Sequence, residues 1–96
     1  MDEILAASKL KKQIVMFFGN FCGPCRMLKP VLTQLQGEEY DVSFIDVEKD
    51  VQIARQERIY SVPTVYVLDG GQKVGGFKGY ISPGKINDIL NQINNG

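Results

Sequence analysis

The run Ile14-Val15-Met16-Phe17-Phe18 is apolar without a break, and it constrains the fold of this chain more than any other segment. It is too short for a helix, and its continuity fits a strand buried in the interior. Two further apolar runs follow the same logic. Asp41 to Val47 carries Val42, Phe44, Ile45 and Val47, and Thr64 to Leu68 is a third strand. Gln72 to Lys78 is a fourth. It comes after Asp69-Gly70-Gly71, a Gly-rich turn of the kind that joins hairpin strands.

The segments between these runs read as helices. Asp2 to Lys12 is a short one, with Asp2 as its cap and Ile4, Leu5 and Leu10 as a partial apolar face. Lys9, Lys11 and Lys12 then fall on its solvated side. From Cys22 to about Leu35, helical spacing puts Cys25, Leu28, Val31, Leu32 and Leu35 on one side. Asp50 caps a short helix reaching about Arg58. Ser82-Pro83 places a cap before a proline at the first helical position. Ile86, Ile89, Leu90 and Ile93 follow at helical spacing.

The resulting order is α-β-α-β-α-β-β-α. It predicts an α/β fold with a mixed four-stranded sheet and helices on both faces. Helices between the first three strands imply right-handed parallel crossovers in at least part of the sheet, and the final hairpin adds an antiparallel strand. At 96 residues the chain is expected to form a single domain over 1–96.

Charge narrows the function classes. Eleven basic and eleven acidic residues cancel, so nothing points to nucleic acid, to an anionic membrane or to an acidic substrate. Met1 is followed by Asp2 and Glu3, with no apolar signal core before Lys9, and no run approaches the ~20 residues that span a bilayer. A cytoplasmic protein is expected. In that reducing setting a structural disulfide is disfavoured, which bears on the only two cysteines, Cys22 and Cys25.

A Cys-x-x-Cys pair serves redox catalysis, half a zinc site or metal carriage. A closed zinc site needs about four ligands. With no His and no third Cys, this chain closes one only if carboxylates fill in or two chains share the metal. No bound metal or cofactor is expected. The position of the pair favours redox work. Cys22 follows a strand and a short loop and opens a helix, where free backbone N–H groups and the helix dipole stabilise a thiolate. Cys22 is therefore the candidate nucleophile. Cys25, nearly one turn on and facing the core, is the candidate resolving thiol. Pro24 fits a helix start because its missing N–H would have gone unpaired there. Gly23 adds no side chain and leaves Cys22 accessible. In the scheme that follows, the Cys22 thiolate attacks a substrate disulfide, and Cys25 then attacks Cys22 and releases the reduced product. A blander reading makes both cysteines inert core residues. That fits Cys25 alone and leaves the Gly-Pro insert unexplained.

Phe21-Cys22-Gly23-Pro24-Cys25-Arg26-Met27, Pro30, Val62-Pro63-Thr64, Asp69-Gly70-Gly71 and Gly79 together resemble the thioredoxin family, over about Ile14 to Ile93. The resemblance implies a thioredoxin fold and a cis Val62–Pro63 bond lying beside the cysteines. Such a proline keeps a backbone N–H away from the sulfurs and exposes the Val62 main chain for pairing with an extended substrate segment. Gly79 resembles the glycine that borders the family's substrate groove. Phe21, Val62, Pro63, Gly79 and Tyr80 would then rim Cys22. The implied partners are disulfide-containing proteins and a thioredoxin-reductase-like electron donor, and a monomer is expected.

Three departures from the family pattern stand out. Only about a dozen residues precede the first strand, so the extra N-terminal edge strand is missing, and the first strand is expected to be more exposed. The tryptophans expected around the motif are Phe18 and Phe21 here. The family's buried Asp corresponds to Met16 and its partner Lys to Phe44, which leaves Cys25 without a general base. These replacements predict a more stable Cys22 thiolate, a slower resolving step and a couple more oxidising than the ~−270 mV of thioredoxin. Two other functions compete with the leading reading: a glutathione-dependent, glutaredoxin-like reductase, and a thioredoxin-fold module that binds a partner or carries a metal or cluster.

Overall fold

In a computed structural model describing residues 1–95, the apolar run becomes the middle of strand β1 (Lys12–Phe18). The remaining elements are α1 (Asp2–Ala7), α2 (Gly23–Thr33), β2 (Tyr40–Asp46), α3 (Val51–Gln56), β3 (Thr64–Asp69), β4 (Gln72–Lys78) and α4 (Pro83–Asn95). The sheet has four strands in the order β2-β1-β3-β4. The β1–β2 pair is parallel, while β1–β3 and β3–β4 are antiparallel.

Alternate residues of β1 feed two separate cores. Ile14 and Met16 join Cys25, Leu28 and Leu32 of α2, Ile86 and Leu90 of α4, and Val65 and Val67 of β3. Val15 and Phe17 join Ile45, Tyr66 and Leu68, packed against Ile4 and Leu5 of α1 and Ile53 of α3. Helices thus cover both faces, and the strand between them has no wet side. The Phe17 and Tyr66 rings meet edge-on at 5.1 Å, a favoured aromatic geometry.

Several sequence expectations are corrected. The first strand is not the exposed one: β1 is central, with five consecutive buried residues. The open edge on that side of the sheet is β2, most of which is only partly buried. A side chain serves this edge instead. Gln36 accepts the Val42 N–H through Oε1 at 2.7 Å and donates Nε2 to Asp41 Oδ1 at 2.6 Å.

The expectation of a parallel crossover in part of the sheet is met between β1 and β2, while the crossover from β2 to β3 reverses the chain. Six residues of α3 rise about 9 Å, whereas a seven-residue strand such as β1 runs about 23 Å. The helix is too short to return the chain along the sheet. So β3 starts where β1 ends, with Phe17 opposite Thr64. That antiparallel entry places Pro63 beside the loop after β1.

The first helix stops at Ala7 instead of reaching Lys12, and its cap position is Met1. Ser8 ends it: Oγ donates to the Leu5 carbonyl and accepts the Gly71 N–H, and the Ser8 carbonyl accepts the Gly70 N–H. The segment after α1 is thereby tied to the β3–β4 turn. Lys12 consequently opens β1 with Lys11 just before it, and the two pair with Glu39 at 3.1 Å and Asp41 at 2.9 Å respectively. Asp50 occupies the cap position of α3 without a side-chain bond. Asp46 Oδ1 orders this turn instead, accepting the N–H groups of Glu48 and Lys49. Gly76 in β4 is required by packing, since a Cβ there would run into the Val65 backbone of β3.

Candidate active site

The site forms where β1 gives way to α2. Cys22 is the N-cap residue, with extended backbone (φ −128°, ψ 100°), and Gly23 and Pro24 are the first two helical residues. The Cys25 N–H donates to Cys22 Sγ at 3.2 Å. This is the bond a Ser or Asp cap oxygen would normally accept at a helix start. The sulfur therefore sits on an otherwise unpaired donor at the positive end of an 11-residue helix.

Cys22 and Cys25 form a disulfide, with Cα atoms 5.2 Å apart. Both cysteine residues are well covered in this state. Cys22 is 8% exposed and Cys25 4%. The open access expected at Cys22 is thus corrected: with the disulfide formed, Cys22 is a buried residue. Space remains beside Gly23, since apart from its chain neighbours and its own helix backbone nothing lies within 4 Å of where its Cβ would stand.

The Val62–Pro63 peptide is cis. Cys22 Sγ lies 3.6 Å from the Val62 carbonyl oxygen, so this loop adjoins the reactive sulfur. Gly79 joins it through its N–H, which donates to the Pro63 carbonyl at 2.9 Å. Gly79 has φ 76°, a left-handed conformation that glycine adopts without strain. Of the other residues singled out from sequence, Phe21 is 95% exposed and Tyr80 40%, Val62 is half-buried, and the Pro63 ring is buried. Of these residues, the exposed apolar surface thus comes from Phe21 and Tyr80. Sequence reasoning passed over Tyr60, which is 87% exposed in the loop leading to Val62. The available signal was an aromatic residue outside any helical or strand period, close to the proline.

Behind the cysteines the expected replacements take their places. Met16 is fully buried and pairs directly with Phe44 on β2 and Val65 on β3. A cavity of about 150 Å³ reaches Cys25 between Met16, Phe18, Gly19, Asn20, Arg26 and Lys29, and among the described residues no carboxylate lines it. The arrangement suits disulfide exchange: an N-capping sulfur, a second sulfur beneath it, and a proline loop alongside.

Comparison with known proteins agrees. The family model described as Thioredoxin matches residues 2–92. Thioredoxin H2-1 of Oryza sativa subsp. japonica is 36% identical over 78 residues, which are 77% of this chain and 56% of that protein. The chain thus spans little more than half the length of that relative. A thioredoxin of Mycoplasmoides gallisepticum is 29% identical over 92 residues, covering 94% of this chain and 90% of that one. Among solved structures, a mutant thioredoxin from Halobacterium salinarum NRC-1 superposes with a TM-score of 0.82 at 26% identity, over 96% of this chain and 80% of that one.

Proposed function

The chain belongs to the thioredoxin family and is a thiol–disulfide oxidoreductase, and we infer that it reduces protein disulfides with Cys22 as nucleophile and Cys25 as resolving thiol. The observation that carries this assignment of roles is the Cys25 N–H on Cys22 Sγ. A helix-start donor favours charge on Cys22, while Cys25 is the more buried of the two. The Cys22 thiolate attacks a substrate disulfide and forms a mixed disulfide. The Cys25 thiolate then attacks Cys22, forms the Cys22–Cys25 bond and expels the substrate sulfur.

The substrate segment lies along Phe21, Gly23 and Pro24 on one side and Val62, Pro63, Gly79 and Tyr80 on the other. Exposed apolar side chains at Phe21 and Tyr80 and the adjoining Val62 main chain support a flexible, extended protein segment as substrate. Reopening the Cys22–Cys25 bond takes two electrons, supplied by a thioredoxin-reductase-like donor. The protein acts as a single 1–96 domain and a monomer in the cytoplasm. No described helix is long and apolar enough to cross a membrane.

Cys25→Ser tests the order of attack. With dithiothreitol the wild-type protein should reduce insulin, and Cys25→Ser should instead accumulate a covalent mixed disulfide through Cys22. Capture through the other cysteine, in Cys22→Ser, with none in Cys25→Ser would reverse the assignment.

A further inference from the structure

The resolving step requires Cys25 to lose its proton in a pocket with no carboxylate to receive it. Lys29 stands one turn after Cys25 on α2, at the i+4 position that shares its helix face. Its ammonium lies 5.4 Å from the Phe18 ring centroid and 5.0 Å from that of Phe44. Two strands thus hold this cation over aromatic faces. The same side chain lines the cavity that reaches Cys25.

We propose that Lys29 is a positioning residue for the second half-reaction, its cation stabilising the Cys25 thiolate across the cavity in place of a general base. This deepens the assignment of Cys25 as resolving thiol and rests on it. The Cys25 proton leaves through the cavity to solvent. The Cys25 thiolate attacks Cys22 Sγ, and the Cys22–Cys25 bond forms as the bond from Cys22 to the substrate breaks. The substrate sulfur departs with the electron pair and takes up a proton. The cysteine pair is oxidised by two electrons and the substrate disulfide is reduced by two. Phe44 gains a purpose in this arrangement, because its ring helps hold the cation.

The charged surroundings of Cys25 are few. Arg26 and Lys29 come from α2, and Cys22 lies above. β1 presents Met16 and Phe18, and β3 presents Val65. Glu48, exposed after β2, accepts the N–H of the cavity-lining Asn20 through Oε1 at 3.3 Å.

Thiolate absorbance against pH in Cys22→Ser, where Cys25 is the sole thiol, reads the effect directly. Lys29→Met keeps the stem and removes the charge. It should move the Cys25 midpoint up by roughly 0.5–1 pH unit, and Lys29→Arg should restore it. The difference should shrink in ~1 M salt, where screening acts within about 3 Å. In the intact pair, release of thionitrobenzoate from a Cys22 mixed disulfide should slow roughly three- to tenfold relative to its formation, as a shift of that size implies. Equal midpoints in Lys29→Met and Lys29→Arg, or equal slowing of both steps, would overturn the proposal. A wild-type protein that reduced no disulfide would instead defeat the assignment beneath it.

Discussion

Met16 and Phe17 are neighbours on one strand, both fully buried, yet they face different worlds. Met16 belongs to the core that holds Cys22 and Cys25, with α2 and α4 over it. Phe17 belongs to the core under α1 and α3, which contains no sulfur among its buried residues. Burial and strand position are matched, so any difference in consequence comes from the face alone. One face couples packing to sulfur chemistry, and the other supplies stability. A core position is thus functional or structural according to the side of the sheet its Cβ takes.

The contrast between the two faces breaks most easily at Phe17. Phe17→Ala leaves a cavity beside Tyr66 and should cost about 3–5 kcal/mol in denaturant unfolding, while the redox potential of the folded fraction stays put. A moved potential would mean that the two cores are not independent. Met16→Asp is the converse. It should lower the potential by on the order of 30 mV, a tenfold change for this two-electron couple, and speed the resolving step. Met16→Asn, polar and uncharged, should leave the potential in place. Redox equilibration against glutathione distinguishes the two.

Tyr66→Phe is smaller. It removes the hydroxyl that donates to the Glu57 carbonyl at 3.1 Å, at a cost of about 1 kcal/mol. Burial, reinforced by Glu57, raises the Tyr66 pKa above its ordinary 10.0. The folded state therefore holds that proton more tightly than the unfolded chain. Stability from this source is complete below about pH 10 and is lost as pH rises through the folded value. Tyr66→Phe should flatten that alkaline loss in pH-dependent unfolding. Asp41, outside both cores, gives the smallest effect. Its pKa is held below the ordinary 3.8 by the Lys11 ammonium and the Gln36 amide. Its contribution is present above that pH and fades as pH falls through the folded value. Asp41→Asn should soften only the acid limb, and less so in high salt.

What the sequence disclosed divides along physical lines. Strands were legible because buried strands leave unbroken apolar runs, as Ile14 to Phe18 does. The cysteine pair and Pro63 were legible because spacing and residue type are local signals. Strand direction was not: whether β3 runs with β1 or against it depends on how far α3 carries the chain. The end of α1 was also hidden, since Ser8 is fixed by partners at Gly70 and Gly71 more than sixty residues away. The surroundings of Lys29 were invisible for the same reason. Phe18 and Phe44 come from two strands whose register decides whether their rings meet that ammonium.

The Gln36 contact on the rim of β2 carries a consequence for life at high concentration. An unpaired strand is a template on which a second copy of the chain can lay its own backbone. By occupying the Val42 donor, one carboxamide removes a rung from that template. The β2 edge is thereby blunted against stacking on a second copy, and Gln36 is the residue on which that protection rests.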